Sequence, residues 1–158
     1  MTFSALNTAA SYATKNSPTF TGTVNWTGAA LNAGTATVAT SQTTTSGTYT
    51  DLATAGPAVT ITTGTKALVV LTAQISNDAA LGLASMGFAV SGATTLAAAQ
   101  TTALSGRANA DFISQMSAVY LVTGLTAGSN TFTAKYQRLS LGTSTFSNRV
   151  ITVIDMGS

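Results

Sequence analysis

Histidine, cysteine and glutamate do not occur in these 158 residues, and acid is limited to four aspartates. Each absence removes a class of chemistry. Without histidine a Ser-His-Asp triad has no base. Without histidine or cysteine, zinc loses its usual nitrogen and sulfur ligands. Paired-carboxylate catalysis needs two acids together, and Asp51, Asp78, Asp111 and Asp155 are widely spaced. "GLASMG" at 82–87 lacks the Lys-Ser/Thr ending of a phosphate-binding loop. The chain therefore reads as a non-enzyme with no cofactor and no metal; a Ser-Lys pair is the catalytic arrangement that composition leaves open. Without cysteine there are no disulfides, and the compartment is undecided. A small domain must then find stability elsewhere, and association of copies is the obvious source.

Charge is scarce as well. Charged residues make up 6%, against about a quarter in an ordinary domain. The net charge of +2 comes from six cations scattered between Lys15 and Arg149. They form no basic stripe, so nucleic acid is not an expected partner. "MTFSALNTAASYATK" at 1–15 lacks the basic start and long apolar run of a signal peptide. Residues 79–106 carry no charge and have the length of a membrane span. They are rich in Gly, Ser and Thr, however, with no Lys or Arg near their start. Met86, Phe88 and Val90 alternate with smaller residues, as in a strand. No membrane insertion is expected.

What the chain has in quantity is threonine, roughly a fifth of the residues. Its β-branch favours extended backbone, and its hydroxyl keeps a sheet face wet without charge. The fold class expected is all-β. Two regions differ in texture. Residues 1–45 hold few large apolar side chains (Phe3, Leu6, Tyr12, Phe20, Val24, Trp26, Leu31 and Val38) and cannot close a core alone. Residues 46–158 carry such side chains in regular clusters, and "TTTSG" at 43–47 reads as the join.

Strand patterns fall at 57–63, 66–76, 84–92, 112–125, 131–139 and 148–156. The "GT" at 64–65 suggests that the first two pair as a hairpin. Val69, Leu71, Ala73 and Ile75 should share one face, with Leu68 and Val70 covered on the other. Phe132 and Tyr136 should both point inward. Residues 94–105 fit a short helix or a strand. Seven or eight short strands with frequent turns indicate an antiparallel β-sandwich or jelly roll over 46–158, preceded by an extended stalk or docking segment at 1–45.

Smaller signals have two readings each. Asn77-Asp78 and Asn109-Asp111 offer oxygen ligands to a cation, and are equally good loop formers. Asn25-Trp26-Thr27 is formally a glycosylation sequon. Trp26 could stack on a sugar or plug an interface between copies.

"YATKNSPTFTGTV", residues 12–24, resembles the short repeat of bacteriophage tail fibres, in which an "SPTFTGTV" core follows an Ala-x-Lys or Ala-Pro lead-in. One copy is present, and "VNWTGAALNAGTATV" reads as a degenerate continuation. The stretches at 48–77, "LTAGSNTFTAKY" and "NRVITVIDMG" are similar to the C-terminal sandwich domains of phage fibre and decoration proteins. The resemblance implies a virion protein: a homotrimer with a stalk, in contact with capsid or with tail and baseplate proteins. Physical argument agrees, because a strand such as "PTFTGTV" has unpaired edges and one thin apolar face, and copies around an axis satisfy both. Phe3, Leu6, Tyr12, Phe20, Val24 and Trp26 are the expected stalk and virion-docking residues. The 29 residues from 17 to 45 reach at most about 95 Å, so the fibre is short.

Three functions compete. One is a tail or baseplate fibre that touches the host, with cell-surface glycan as a partner. The second is a capsid-mounted decoration protein with a stabilising role. The third is a carbohydrate-binding module or secreted adhesin.

Overall fold

A computed structural model describes residues 31–108 and 112–157. Phe3, Leu6, Tyr12, Phe20, Val24 and Trp26 lie outside the described residues, as do the sequon and Asp111. The described chain forms nine strands: β1 Ala33–Val38, β2 Gln42–Thr44, β3 Ala58–Thr63, β4 Lys66–Asn77, β5 Gly82–Gly92, β6 Leu104–Ala108, β7 Ser114–Thr123, β8 Gly128–Arg138 and β9 Ser144–Asp155. Among the described residues no helix is long and apolar enough to cross a membrane.

The strands make two antiparallel sheets. Sheet one runs β1-β9-β4-β7, with β2 also on β9; sheet two runs β3-β8-β5-β6. This order is that of an eight-stranded jelly roll, plus the short β2. The all-β sandwich expected from period-2 patterning is therefore the fold. Val69, Leu71, Ala73 and Ile75 of β4 are buried, as are Met86, Phe88 and Val90 of β5 and Phe132, Ala134 and Tyr136 of β8. These side chains meet between the sheets. Phe88 and Phe132 stand 6.1 Å apart at 44°, and Tyr136 tilts onto Phe146 at 4.9 Å, both favourable aromatic arrangements.

Three expectations change. The hairpin at 64–65 does not form: β3 pairs with β8, whereas β4 pairs with β7 and β9. A tight two-residue hairpin loop needs a positive φ at its first central residue or at both. Neither Gly64 nor Thr65 has one. The pair instead crosses between the sheets, where Thr65 and Lys66 donate backbone N–H to Gly157 O and Gly64 donates to Asp155 Oδ1. Residues 33–44, read from sequence as part of the N-terminal segment, are strands of sheet one, paired along β9. Their small side chains carry little core signal, and the backbone ladder holds them. Residues 94–105 are neither a full helix nor one strand. They contain a bridge from Leu96 to Val90, a 3-10 turn at Gln100–Thr102 and the start of β6.

One buried group was invisible in the sequence. Arg149 of β9 has no exposed surface. Its guanidinium lies 5.2 Å from the Tyr136 ring centroid, and Nη2 donates to Thr40 O and Gln42 Oε1. No acid faces it: among the described residues the only ion pair is Lys135 with Asp51. Tyr136 donates its hydroxyl to Gly56 O at 2.7 Å. Burial pushes this phenol up to about 12, with the Arg149 charge pulling the other way. With the folded value above the unfolded one, the unfolded phenol loses its proton first as pH rises, and that ionisation favours the unfolded state. Tyr136 thus contributes stability that is complete below the ordinary tyrosine value of about 10 and is lost as pH climbs from there toward 12. A tyrosinate absorbance titration should show a phenol that ionises only as pH nears 12. A titration with no such late phenol would mean that the Tyr136 ring is open to water.

Candidate functional site

β5 and β8 lie side by side in sheet two, and their outward residues Ala89, Lys135 and Gln137 form the floor of a groove. Two irregular segments make its walls. Residues 46–57 run along the edge of β8: Thr50 and Tyr136 exchange backbone hydrogen bonds, Arg138 N donates to Ser46 O, and Ala134 N donates to Pro57 O. Residues 93–102 run along β5, fixed by the two-way bridge between Leu96 and Val90. Buried Asn130 holds this corner, donating to Thr63 Oγ1 and accepting from Thr94 N. Between the walls lies an open trough of about 730 Å³, in the size range of small-ligand sites.

Tyr49 closes one side. Its ring lies over Gly87, where an added Cβ would sit only 3.1 Å from the ring edge. Glycine is therefore what allows the aromatic to reach across the sheet. The hydroxyl of Tyr49 hydrogen-bonds to Ser85 at 2.7 Å, and Ser85 to Ser105 at 2.8 Å. Burial pushes the Tyr49 phenol up. Lys135 Nζ donates to both carboxylate oxygens of Asp51, at 2.8 and 2.7 Å. Both side chains remain partly exposed, so the pair adds little stability, but its charges cancel. The trough is consequently neutral, edged by hydroxyls and by the amides of Gln100 and Gln137, with one aromatic.

This arrangement can offer hydrogen bonds and one ring edge to a neutral ligand with many hydroxyls. Among the described residues no group of three acidic, histidine or cysteine side chains could hold a metal. Asp78 serves as a loop clamp: its carboxylate accepts Thr143 N–H at 2.6 Å, and that bond holds its pKa low. Asn77 beside it is buried, donating to Ser144 Oγ and accepting from Ala79 N.

Sheet one presents a different surface. Between Lys66 opposite Thr123 at one end and Gln74 opposite Gln115 at the other, its outward side chains line up in three rows across the strands: Leu121, Leu68, Ile154 and Ala33; Val119, Val70, Thr152 and Thr35; Ser117, Thr72, Val150 and Thr37. None of these positions is charged. Thr35 with Thr152 and Thr72 with Ser117 join their hydroxyls across strands.

None of the groove residues stands out in the sequence, because they come from four separated stretches. Asp51 and Lys135 offer the one retrievable signal, as two of ten charged residues in the chain. No protein-family model matches the chain, and no curated protein matches it.

Proposed function

We propose that this chain is a bacteriophage virion structural protein: a short homotrimeric fibre that docks to the particle through its N-terminal region and presents its jelly roll to the host surface. The observation that carries this reading is the joining of a stalk-type repeat, "SPTFTGTV" at 17–24, to a charge-poor jelly roll. The groove over β5 and β8 supports an adhesive rather than a catalytic role. Its neutral lining of hydroxyls, amides and Tyr49 suits a neutral cell-surface glycan. A second reading, a capsid decoration protein with a stabilising role, is favoured by the sparse aromatic content of the groove, since a sugar site commonly uses more than one exposed ring.

Gold-labelled antibody against the chain, applied to purified particles, tests the reading. Label on the tail or baseplate is the expected result, label on the capsid favours the second reading, and bare particles would sink both. Adhesion is checked separately with purified full-length protein and host cells. The double substitution Gln100→Ala with Lys135→Ala should weaken retention by roughly tenfold, about 1.4 kcal/mol. Unchanged retention would remove the groove from the host contact.

A further inference from the structure

We infer that the outward face of sheet one is the surface through which copies of this chain associate, three such faces meeting around a common axis. The inference rests on the homotrimer reading above and names the surface that makes the trimer. In ordinary water-facing sheets, polar residues alternate outward, opposite the buried ones. Here the outward rows hold Leu68, Val70, Val119, Leu121, Val150 and Ile154. Val119 and Leu121 are 58% and 57% exposed, yet they directly oppose Val70 and Leu68 rather than lysine or glutamine. The patch is thus continuous across the strands, not a scatter of single side chains. Soluble monomers rarely expose continuous apolar patches beyond a few hundred Å².

Size, charge and polarity together point to a second copy as the occupant. Four strands about 4.8 Å apart and some 20 Å of strand length give roughly 400 Å² in projection, and corrugation raises the accessible area toward the ~800 Å² a side of a specific interface. The three rows carry no charge, Lys66 standing beyond them at the strand end, so they meet their own copy without repulsion, whereas a charged partner would lose hydration with nothing to pair against. The interstrand hydroxyl pairs Thr35–Thr152 and Thr72–Ser117 already satisfy one another, so covering them strands fewer polar groups. The same arrangement leaves sheet two, with the groove, on the outside of each subunit.

Analytical ultracentrifugation of the full chain tests this with the variant Val119→Lys plus Leu121→Lys. The wild type should sediment as a trimer. The variant should sediment as a monomer at micromolar concentration with an unchanged far-UV spectrum, because both side chains lie more than half in water. Leu141→Lys, at a loop position 69% exposed, should remain a trimer. Should the lysine pair fail to fold, Val119→Thr with Leu121→Thr keeps strand preference and should raise the dissociation constant at least tenfold. A trimeric wild type whose folded face variants remain equally trimeric overturns this assignment while leaving the trimer intact. A monomeric wild type overturns the trimer reading and the assignment together. If that monomer's Trp26 emission also shifts to the red in the face variant, the first thirty residues cover this face instead of a second copy.

Discussion

Phe132→Ala should cost roughly 3 to 5 kcal/mol, a fall of about 10 °C or more in the melting temperature. Phe132 has no exposed surface, sits mid-strand in β8 and packs its ring against Phe88 of the neighbouring β5. Truncation removes buried apolar area and leaves a cavity between two sheets whose strands are hydrogen-bonded on both sides of the site. A sheet held in this way cannot collapse inward as a loop could, so the upper part of the range applies. Ser129→Ala, three residues earlier on the exposed side of the same strand, should change stability by less than about 0.5 kcal/mol. Thermal melts of the two variants beside the wild type check both figures. A loss under about 1 kcal/mol for Phe132→Ala would mean that β8 does not face the core as described.

A chain beginning at Leu31 should fold and melt cooperatively, whereas one beginning at Ser46 should be less stable by at least about 3 kcal/mol and prone to aggregate. The sandwich expected over 46–158 takes in two strands from before residue 46. Removing residues 31–45 strips β1 and β2 from β9 and bares the backbone edge of the apolar stretch "VITVI". Two further losses follow. Arg149 is deprived of Thr40 O and Gln42 Oε1, both acceptors of its Nη2. Val38 and the core-packed Ala36 no longer cover their side of the sandwich. Exposed edges recruit other chains, so light scattering on heating separates the two truncations as clearly as the melting temperature does. Matching melts within about 3 °C would show that the first two strands add nothing.

Much of the sandwich was legible because burial in a sheet has a period of two. Val69, Leu71, Ala73 and Ile75, or Phe132, Ala134 and Tyr136, announce both the strand and the side that faces inward. Pairing was not legible, since the partner of a strand is set by long-range topology. β3 and β4 are separated by two residues and lie in different sheets, while β1 pairs with β9 across more than a hundred residues. β1 and β2 escaped notice because "AGTATV" and "QTT" contain a single bulky apolar side chain. The groove was invisible for a related reason. Its Tyr49, Ala89, Gln100 and Lys135 are ordinary residues until the walls at 46–57 and 93–102 bring them together.

The position of β9 has a consequence for synthesis. The last of the described strands is not at the margin of its sheet but inside it, between β1 and β4. As the ribosome releases the chain, β1 has no neighbour, and β4 has only β7 until residues 144–155 emerge. The early strands must wait, with threonine hydroxyls rather than charge keeping them in solution. Sheets closed by such distant pairings form in milliseconds to seconds rather than microseconds. The nascent chain is therefore aggregation-exposed until β9 has been made, and sheet one has no continuous face before then.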